Sequence, residues 1–526
     1  MKPLLRKYSP LATIFAAFAF AGAQSAHAVN AAWNTDASSG NFNTAQWTSG
    51  TTTPVAGGTY TVVSGDALFF GTSTTTTLNN DLVGATYNGL TFNSGASAFT
   101  IGGNSFTLNG NITNSSTSLQ TINNDMTSTA ARTFTGGTGG LTLGGTYTTT
   151  IAATYAGVIN IKGATTISQS GANNQGFVTI GNGTNSTVTL SNGGSLSING
   201  TTAGAKPNSI IGNNLSTSAL NVGASDLSSS GTLTVGAETG FVLGNNNASA
   251  NGTLNINSGT ATITSGSATA TDIRSFVSLG RDTGTGTINL NGGTLATGRN
   301  FVRDGSATAD ASGAANFNFA GGTLKALANQ TDWLNSSTKN TNQLALTSVT
   351  TTSANSTIDA NGFSVAINNA ISGAGGFNIN SSTGTGTVTL GGANTYAGGT
   401  TVLSGNLATD LVGNFGLGNV TVADVAGAGL VLGNGNSIAD TAILFFGDAG
   451  TITLNNATSD TVFGITQTDD SQSIGGGIYT ASDLNTFFGV VGVFSGTGTL
   501  TVVPEPSAAL LGGLSVLGLL RRRRTA

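Results

Sequence analysis

The chain of 526 residues contains no cysteine, one histidine and six prolines, and only 7% of it is charged. No disulfide can brace it, and no thiolate can serve as nucleophile or metal ligand. The one histidine, His27, sits inside a small-residue cleavage pattern, so the expected mature body carries none. Without histidine or cysteine that body cannot form a Ser-His-Asp or Cys-His triad. It also lacks the usual nitrogen and sulfur donors for zinc, haem or iron–sulfur clusters. Positive charge is scarce as well: between Val29 and Val503 there are nine Lys or Arg against twenty Asp or Glu, a formal balance of −11. An acidic surface without a basic cluster repels phosphate, so nucleic acid is not an expected partner. No cofactor is expected, and no catalytic residue is assigned.

Glycine (79 residues), threonine, asparagine and serine fill the space, with 38% hydrophobic residues. Low charge at that hydrophobic content argues against a solvated disordered chain. Abundant glycine and β-branched residues disfavour helices. Short alternating segments recur: Thr187 to Ser191, Thr232 to Val235, Thr253 to Asn257, Thr287 to Asn291, Asn316 to Ala320, Thr387 to Leu390 and Thr499 to Val502. Each alternates apolar residues with Thr or Asn, the period of a sheet with one buried face. Most are followed by Gly-Gly, Asn-Gly or Ser-Gly, which supply the positive φ of a tight turn.

The units starting at Thr232, Thr253, Thr287 and Asn316 are separated by 21, 34 and 29 residues. Rungs of that size suit a solenoid, with Leu, Ile, Val and Phe pointing inward and Thr, Ser and Asn forming side-chain ladders outside. The expected fold is all-β, a parallel β-helix (β-solenoid). Consecutive β-sandwich modules are the alternative, disfavoured because no Trp-centred or proline-punctuated module recurs. Residues 29–58, with Trp33 and Trp47 in a polar, loop-like setting, are expected to cap the first rung. Residues 59–408 form the repeat region, and 409–502 a less regular β region. Within them Asp332 to Leu334 reads as a bulging loop or short helix, and Phe487 to Phe494 as a buried terminal strand pair.

The two ends read as addresses. Lys2, Arg6 and Lys7 precede an apolar run from Leu11 to Ala23. Ala26-His27-Ala28 is a small-x-small site, so residues 1–28 read as a cleaved signal helix, with Ala21 to Ala23 as a second candidate site. At the other end Val503-Pro504-Glu505-Pro506-Ser507 leads into thirteen uncharged residues, Ala508 to Leu520, and then Arg521, Arg522, Arg523 and Arg524. As a helix that run reaches ~20 Å, short of the ~30 Å hydrocarbon core. The basic cluster favours the cytoplasmic side. This three-part terminus, residues 503–526, resembles the PEP-CTERM sorting signal of Gram-negative bacteria. The resemblance implies export to the cell surface or extracellular matrix, and an exopolysaccharide or biofilm setting. It also implies a membrane exosortase that recognises Pro504, Glu505 and Pro506 while the short apolar helix sits transiently in the inner membrane. A plain tail anchor is the alternative.

A second resemblance lies inside the body. Gly384 to Leu407, with Thr387-Val388-Thr389-Leu390, Tyr396, Gly398-Gly399 and Thr400-Thr401-Val402-Leu403, resembles the passenger-associated repeat of bacterial autotransporters. That likeness implies a β-helical coil with Tyr396 at a corner and Gly398 and Gly399 turning the chain. The membrane barrel of long alternating strands that ends an autotransporter is replaced here by the sorting-type terminus, so self-translocation is not implied.

Chemistry-bearing residues are few. Asp469-Asp470 is the only adjacent acidic pair, and strand neighbours face opposite sides, so a solvated turn is the expectation. Arg274, Arg281, Arg299 and Arg303 form the sole basic concentration in the body, either a small glycan-contact patch or partners for neighbouring acids. The Gly-Gly-x-Gly-x-Asp calcium nonapeptide is absent, and the glycine runs lack the Lys-Ser/Thr ending of a phosphate loop. Asn and Thr bands could hydrogen-bond an extracellular polysaccharide, and they are equally the expected turn and ladder formers. The expected function is that of a non-enzymatic structural or matrix protein. The alternatives are a polysaccharide lyase or hydrolase, and a carbohydrate-binding adhesin using the arginine face.

Overall fold

The computed structural model describes residues 28–169, 176–201, 208–266, 272–305, 313–339 and 343–503. Residues up to His27, expected to belong to a signal helix, and residues from Pro504 on, expected to belong to a sorting signal, lie outside these residues.

Short strands dominate, and nearly all pair in parallel. They assort into sheets of 23, 16 and 6 strands, with a three-stranded sheet at the C-terminal end. The pairing rule is simple in the middle of the chain. Ser186–Leu190, Ser195–Gly200 and Asn208–Asn213 make one rung. They pair in turn with Thr217–Val222, Gly231–Val235 and Gly240–Asn245 of the next. The chain therefore visits three faces and advances one layer, a solenoid-like all-β architecture. Ala153–Ile161 bends across two faces: its first half pairs with Gly176–Asn182 and its second with Ser186–Leu190.

Alternation builds the core. Leu190, Val222, Ile256, Leu290 and Phe319 are consecutive partners in register, and all are fully buried. Each such side chain contributes roughly 1.5–3 kcal/mol over its exposed state. Between these positions the outward residues stay polar.

The spacing read from the sequence needs one correction. Thr253, Thr287 and Asn316 are true register partners, so the intervals of 34 and 29 residues are rungs. Thr232 is not part of that column; it pairs with Ser195 and Thr260 on another face. The interval of 21 residues steps sideways around a rung. Sequence cannot separate the two cases, because strands on adjacent faces share one alternating pattern.

A corner motif runs through the middle rungs. Gly181, Gly212, Gly244 and Gly280 follow register-matched residues and take φ of 72, 72, 69 and 63°. A Cβ on Gly244 would lie 2.1 Å from the Thr285 carbonyl, so backbone conformation and layer contact both demand glycine. Two residues further on, Gly183, Asn214, Asn246 and Asp282 are left-handed as well.

Both ends depart from parallel stacking. Asn30–Trp33 pairs in parallel with Ala67–Phe70 on one side and antiparallel with Trp47–Ser49 on the other. Trp33 and Trp47, expected in a polar loop-like setting, are strand residues with no exposed surface, their rings 4.9 Å apart. At the other end Gly477–Thr480 runs antiparallel to Thr499–Val502. The segment expected as a terminal strand pair is instead the helix Ala481–Phe488 followed by the strand Phe494–Gly496. Thr480 and Asp483 form a capping box, and Gly489 closes the helix at φ 69°. This local signal outweighs the general helix-poor composition. Leu484 and Phe488 bury against the last rung, with the Phe488 ring 5.0 Å from Phe446. Antiparallel strands and a helix over the end rungs block edge-to-edge extension. Among the described residues no helix is long and apolar enough to cross a membrane.

Candidate functional site

The structure divides the arginine cluster into two buried and two half-buried members. Arg299 is wholly buried. Its Nε donates to the Thr264 carbonyl at 2.7 Å, Nη1 to Thr239 at 2.8 Å and Nη2 to Gly236 at 3.0 Å. Trp333 covers it from the next layer and donates its indole N–H to the Arg299 carbonyl at 3.2 Å. Asp332 to Leu334, expected as a bulging loop or short helix, is a packed loop that bridges Leu334 to Phe301. Burial lowers the guanidinium of Arg299 to about 10, with neighbouring Arg274 acting in the same direction, so it stays charged at neutral pH.

Arg274 is nearly as enclosed. It forks onto Asp272, with Nε at 2.9 Å and Nη2 at 2.7 Å, and its Nη1 meets Glu238, the body's one glutamate. Neither Arg274 nor Arg299 presents a guanidinium to an outside glycan: both serve the rungs.

Arg281 and Arg303 lie at the end of the corner motif. Arg281 occupies the place that Asn182, Asn213 and Asn245 hold in earlier layers. Those asparagines form their own ladder, 3.1 Å from Asn213 to Asn182 and 2.9 Å from Asn245 to Asn213. The Arg281 Nε faces Asp304 at 3.5 Å, and Ser278 donates its hydroxyl to Asp304 at 3.1 Å. Burial lifts the Asp304 carboxyl to about 6, opposed by Arg281 and Ser278. Arg303 donates to the Gly313 carbonyl. The partly exposed surface of the cluster is thus confined to Arg281 and Arg303.

Asp469 and Asp470 sit in an exposed turn, and among the described residues no three His, Asp or Glu side chains converge as a metal group. Asp460 is buried, and burial raises its carboxyl to about 7 against backbone N–H donors from Ile438, Thr461 and Ser437.

The longest in-register polar column is uncharged, and Thr142 is its one buried member. On one face Thr77, Thr100, Thr121, Thr142, Asn160, Thr189, Asn221, Asn255, Asn289, Asn318, Thr350 and Ser372 follow one another in register through twelve layers. In its middle the amides close a chain. Asn221 donates to Thr189 at 3.1 Å, and Asn255 to Asn221, Asn289 to Asn255 and Asn318 to Asn289, each at 2.8 Å. The Thr350 hydroxyl donates to Asn318 at 2.8 Å. Every donor points the same way along the stack, so the bonds polarise one another. The expected side-chain ladder is present.

The segment Gly384 to Leu407 places Tyr396 between Thr387–Leu390 and Thr400–Val402. Tyr396 is fully buried; its hydroxyl lies 2.7 Å from Thr400 Oγ1 and its ring 5.2 Å from Phe377. Gly398 is needed for contact rather than for a left-handed turn: an added Cβ would come within 2.5 Å of Gly375 in the neighbouring layer.

Of the sequence-predicted sorting and cleavage residues, Ala26, Pro504, Glu505, Pro506 and Arg521 to Arg524 lie outside the described residues, and Ala28 is an exposed coil residue. What sequence reading missed is the corner repeat Ile180-Gly-Asn-Gly, Ile211-Gly-Asn-Asn, Leu243-Gly-Asn-Asn and Leu279-Gly-Arg-Asp. Its period would have set the rungs directly. No family model, curated protein or solved structure matches the chain.

Proposed function

We propose that the protein is an exported, non-enzymatic structural element of the cell surface or extracellular matrix, built as a parallel β-helix. The general handedness of parallel crossovers makes that helix right-handed. Residues 1–28 deliver it across the inner membrane, and an exosortase-type enzyme processes it at Pro504-Glu505-Pro506 while Arg521 to Arg524 hold the tail on the cytoplasmic side.

The observation that carries this reading is the twelve-layer column from Thr77 to Ser372. An uncharged polar column, self-bonded from Thr189 to Thr350, is what a persistent extracellular rod needs: soluble, without labile thiols, and able to lie against a polysaccharide matrix through hydroxyl and amide groups. The burial of Arg274 and Arg299 supports a structural use of the basic residues over a catalytic one.

The test is the C-terminus of the native protein, read by mass spectrometry in cell-surface and medium fractions. Loss of everything beyond the Pro504 to Pro506 region is expected. An intact terminus through Arg524 in the membrane fraction would sink the sorting claim. Turnover of acidic glycans by the purified protein would sink the non-enzymatic one.

A further inference from the structure

A cavity of about 370 Å³ opens at the C-terminal end of the 16-stranded sheet. Ile443, Phe463, Ile474 and Val503 give it apolar walls, and Thr466 and Ser473 bring their hydroxyls to it, 3.0 Å apart. No charged side chain lines it. Phe463 is 42% exposed, an aromatic ring open to solvent. Gly464 leaves room beside it: a Cβ added there would meet nothing nearer than 3.8 Å. Apolar walls, an aromatic ring and a few placed polar groups are the usual make-up of a small-ligand site.

Thr466 is also the last member of a long column. Thr232, Thr260, Thr294, Thr323 and Thr357 are successive register partners on this sheet. Through Asn378, Thr401 and Thr421 the column reaches Phe445 and ends at Thr466. At ~4.8 Å per layer it is a track of roughly 43 Å that leads to the cavity. Its members are all exposed or half-buried. It differs from the asparagine face in what it leaves free. Asn255 and Asn289 each spend a donor and an acceptor on neighbouring layers. The hydroxyls of Thr232, Thr260, Thr294, Thr323, Thr401 and Thr421 form no hydrogen bond with another described residue. A β-branched side chain has few rotamers, so these hydroxyls are already held in place and lose little entropy on meeting a ligand.

Charge selects the ligand. Column and cavity carry none, and beside the track Lys325 and Asp359 are register partners that pair at 3.6 Å. The body as a whole has a formal balance of −11 between Val29 and Val503, which repels polyanions. A hydroxyl both donates and accepts, so a regular row of them suits a ligand that presents hydroxyls of its own at intervals. The Phe463 ring suits an apolar ring face. We propose that this face binds an extended, uncharged polysaccharide. One sugar unit sits in the cavity against Phe463, Thr466 and Ser473, and the chain lies along the threonine column. This assignment rests on the reading of the protein as a matrix element, and adds to it the face and the class of glycan.

The test is retention of the full-length protein on insoluble cellulose and chitin, both uncharged, and on alginate, a polyanion, in low and high salt. Retention on an uncharged polymer, unchanged by salt, is expected, because a neutral contact is not screened. Gly464→Leu fills the cavity without backbone strain, and Thr294→Val with Thr323→Val removes two hydroxyls at nearly constant shape. Each should weaken binding about tenfold. Thr121→Val, on the asparagine-bearing face, should bind as wild type does. Thermal midpoints close to wild type show that the variants are folded. Full binding by either the cavity or the track variant, or retention on alginate alone, would overturn the assignment. Absence of retention on all three would also overturn it, while leaving export and sorting to be judged by the C-terminus. Release of soluble sugar from a retained polymer would instead overturn the non-enzymatic reading and support the track.

Discussion

Asn289 donates its side-chain amide to Asn255 Oδ1 at 2.8 Å, across a sequence separation of 34 residues. The bond is the central link of the ladder from Thr189 to Thr350, and each amide in it both gives and receives. Replacing Asn289 with alanine should cost ~0.5–1.5 kcal/mol for the lost bond, plus the polarisation it lent its neighbours. Asn255→Ala should cost a similar amount. The double variant should lose less than the sum, because both remove the same link. Urea unfolding of the four proteins checks this, and strict additivity would show that the ladder carries no coupling.

Arg299 ties its own layer to the two before it through three carbonyls, and no ion pair to it is formed among the described residues. Arg299→Met leaves Thr239, Thr264 and Gly236 without their donor and should destabilise by ~3–5 kcal/mol. Arg299→Lys should recover little, since a point charge cannot replace a planar fork spread over two layers. Denaturant midpoints for both variants decide the matter. A fully stable lysine variant would contradict the bridging role.

Asp304 and Asp460 give the protein a pH dependence of defined sign. Burial raises them to about 6 and about 7, above the ~3.9 of an unfolded aspartate. Between those values the folded state holds more protons than the unfolded state. The stability they contribute is therefore complete below pH ~4 and is lost as pH rises through 6 and 7, by up to ~1.4 kcal/mol per pH unit for each group. Asp460→Asn should flatten the upper part of this slope, gaining stability relative to wild type at pH 7.5 and nothing at pH 4. Unfolding free energies at four pH values between 4 and 7.5 test it.

Trp47 holds the N-terminal cap together, its ring 5.2 Å from Phe42 and 5.7 Å from Phe70. Trp47→Ala should cost ~3–5 kcal/mol within the cap and uncover the edge of Asn30–Trp33 for pairing with another chain. Light scattering should then report concentration-dependent association. Trp47→Phe should remain monodisperse, since the indole N–H of Trp47 makes no hydrogen bond.

Much of the architecture was legible in the sequence. Thr387–Leu390 and Thr499–Val502 fall where alternation placed them, and Thr253, Thr287 and Asn316 are register partners as their spacing implied. Thr232 misled because period-two alternation states that a residue is outward without stating on which face. The helix Ala481–Phe488 was hidden by an apolar run, Phe487 to Phe494, that outweighed the Thr480 and Gly489 capping signals beside it. Of the candidate site, the basic concentration was visible, but the enclosure of Arg274 and Arg299 was not. A charged residue in a loop reads as solvated until the layers above and below it are known.

The sequence by itself determined the class of this protein: β-rich, free of cysteine, nearly free of histidine, and built of strands with one apolar and one polar face. These follow from composition and local periodicity, which act within a few residues. Only the tertiary structure decided which Thr and Asn share a column, which arginines lie buried, and that Trp33 and Trp47 pack together in the interior. Those relations depend on register between segments about 20 to 36 residues apart. Register is set jointly by the buried columns and the glycine corners of every layer, and no single stretch of sequence contains it.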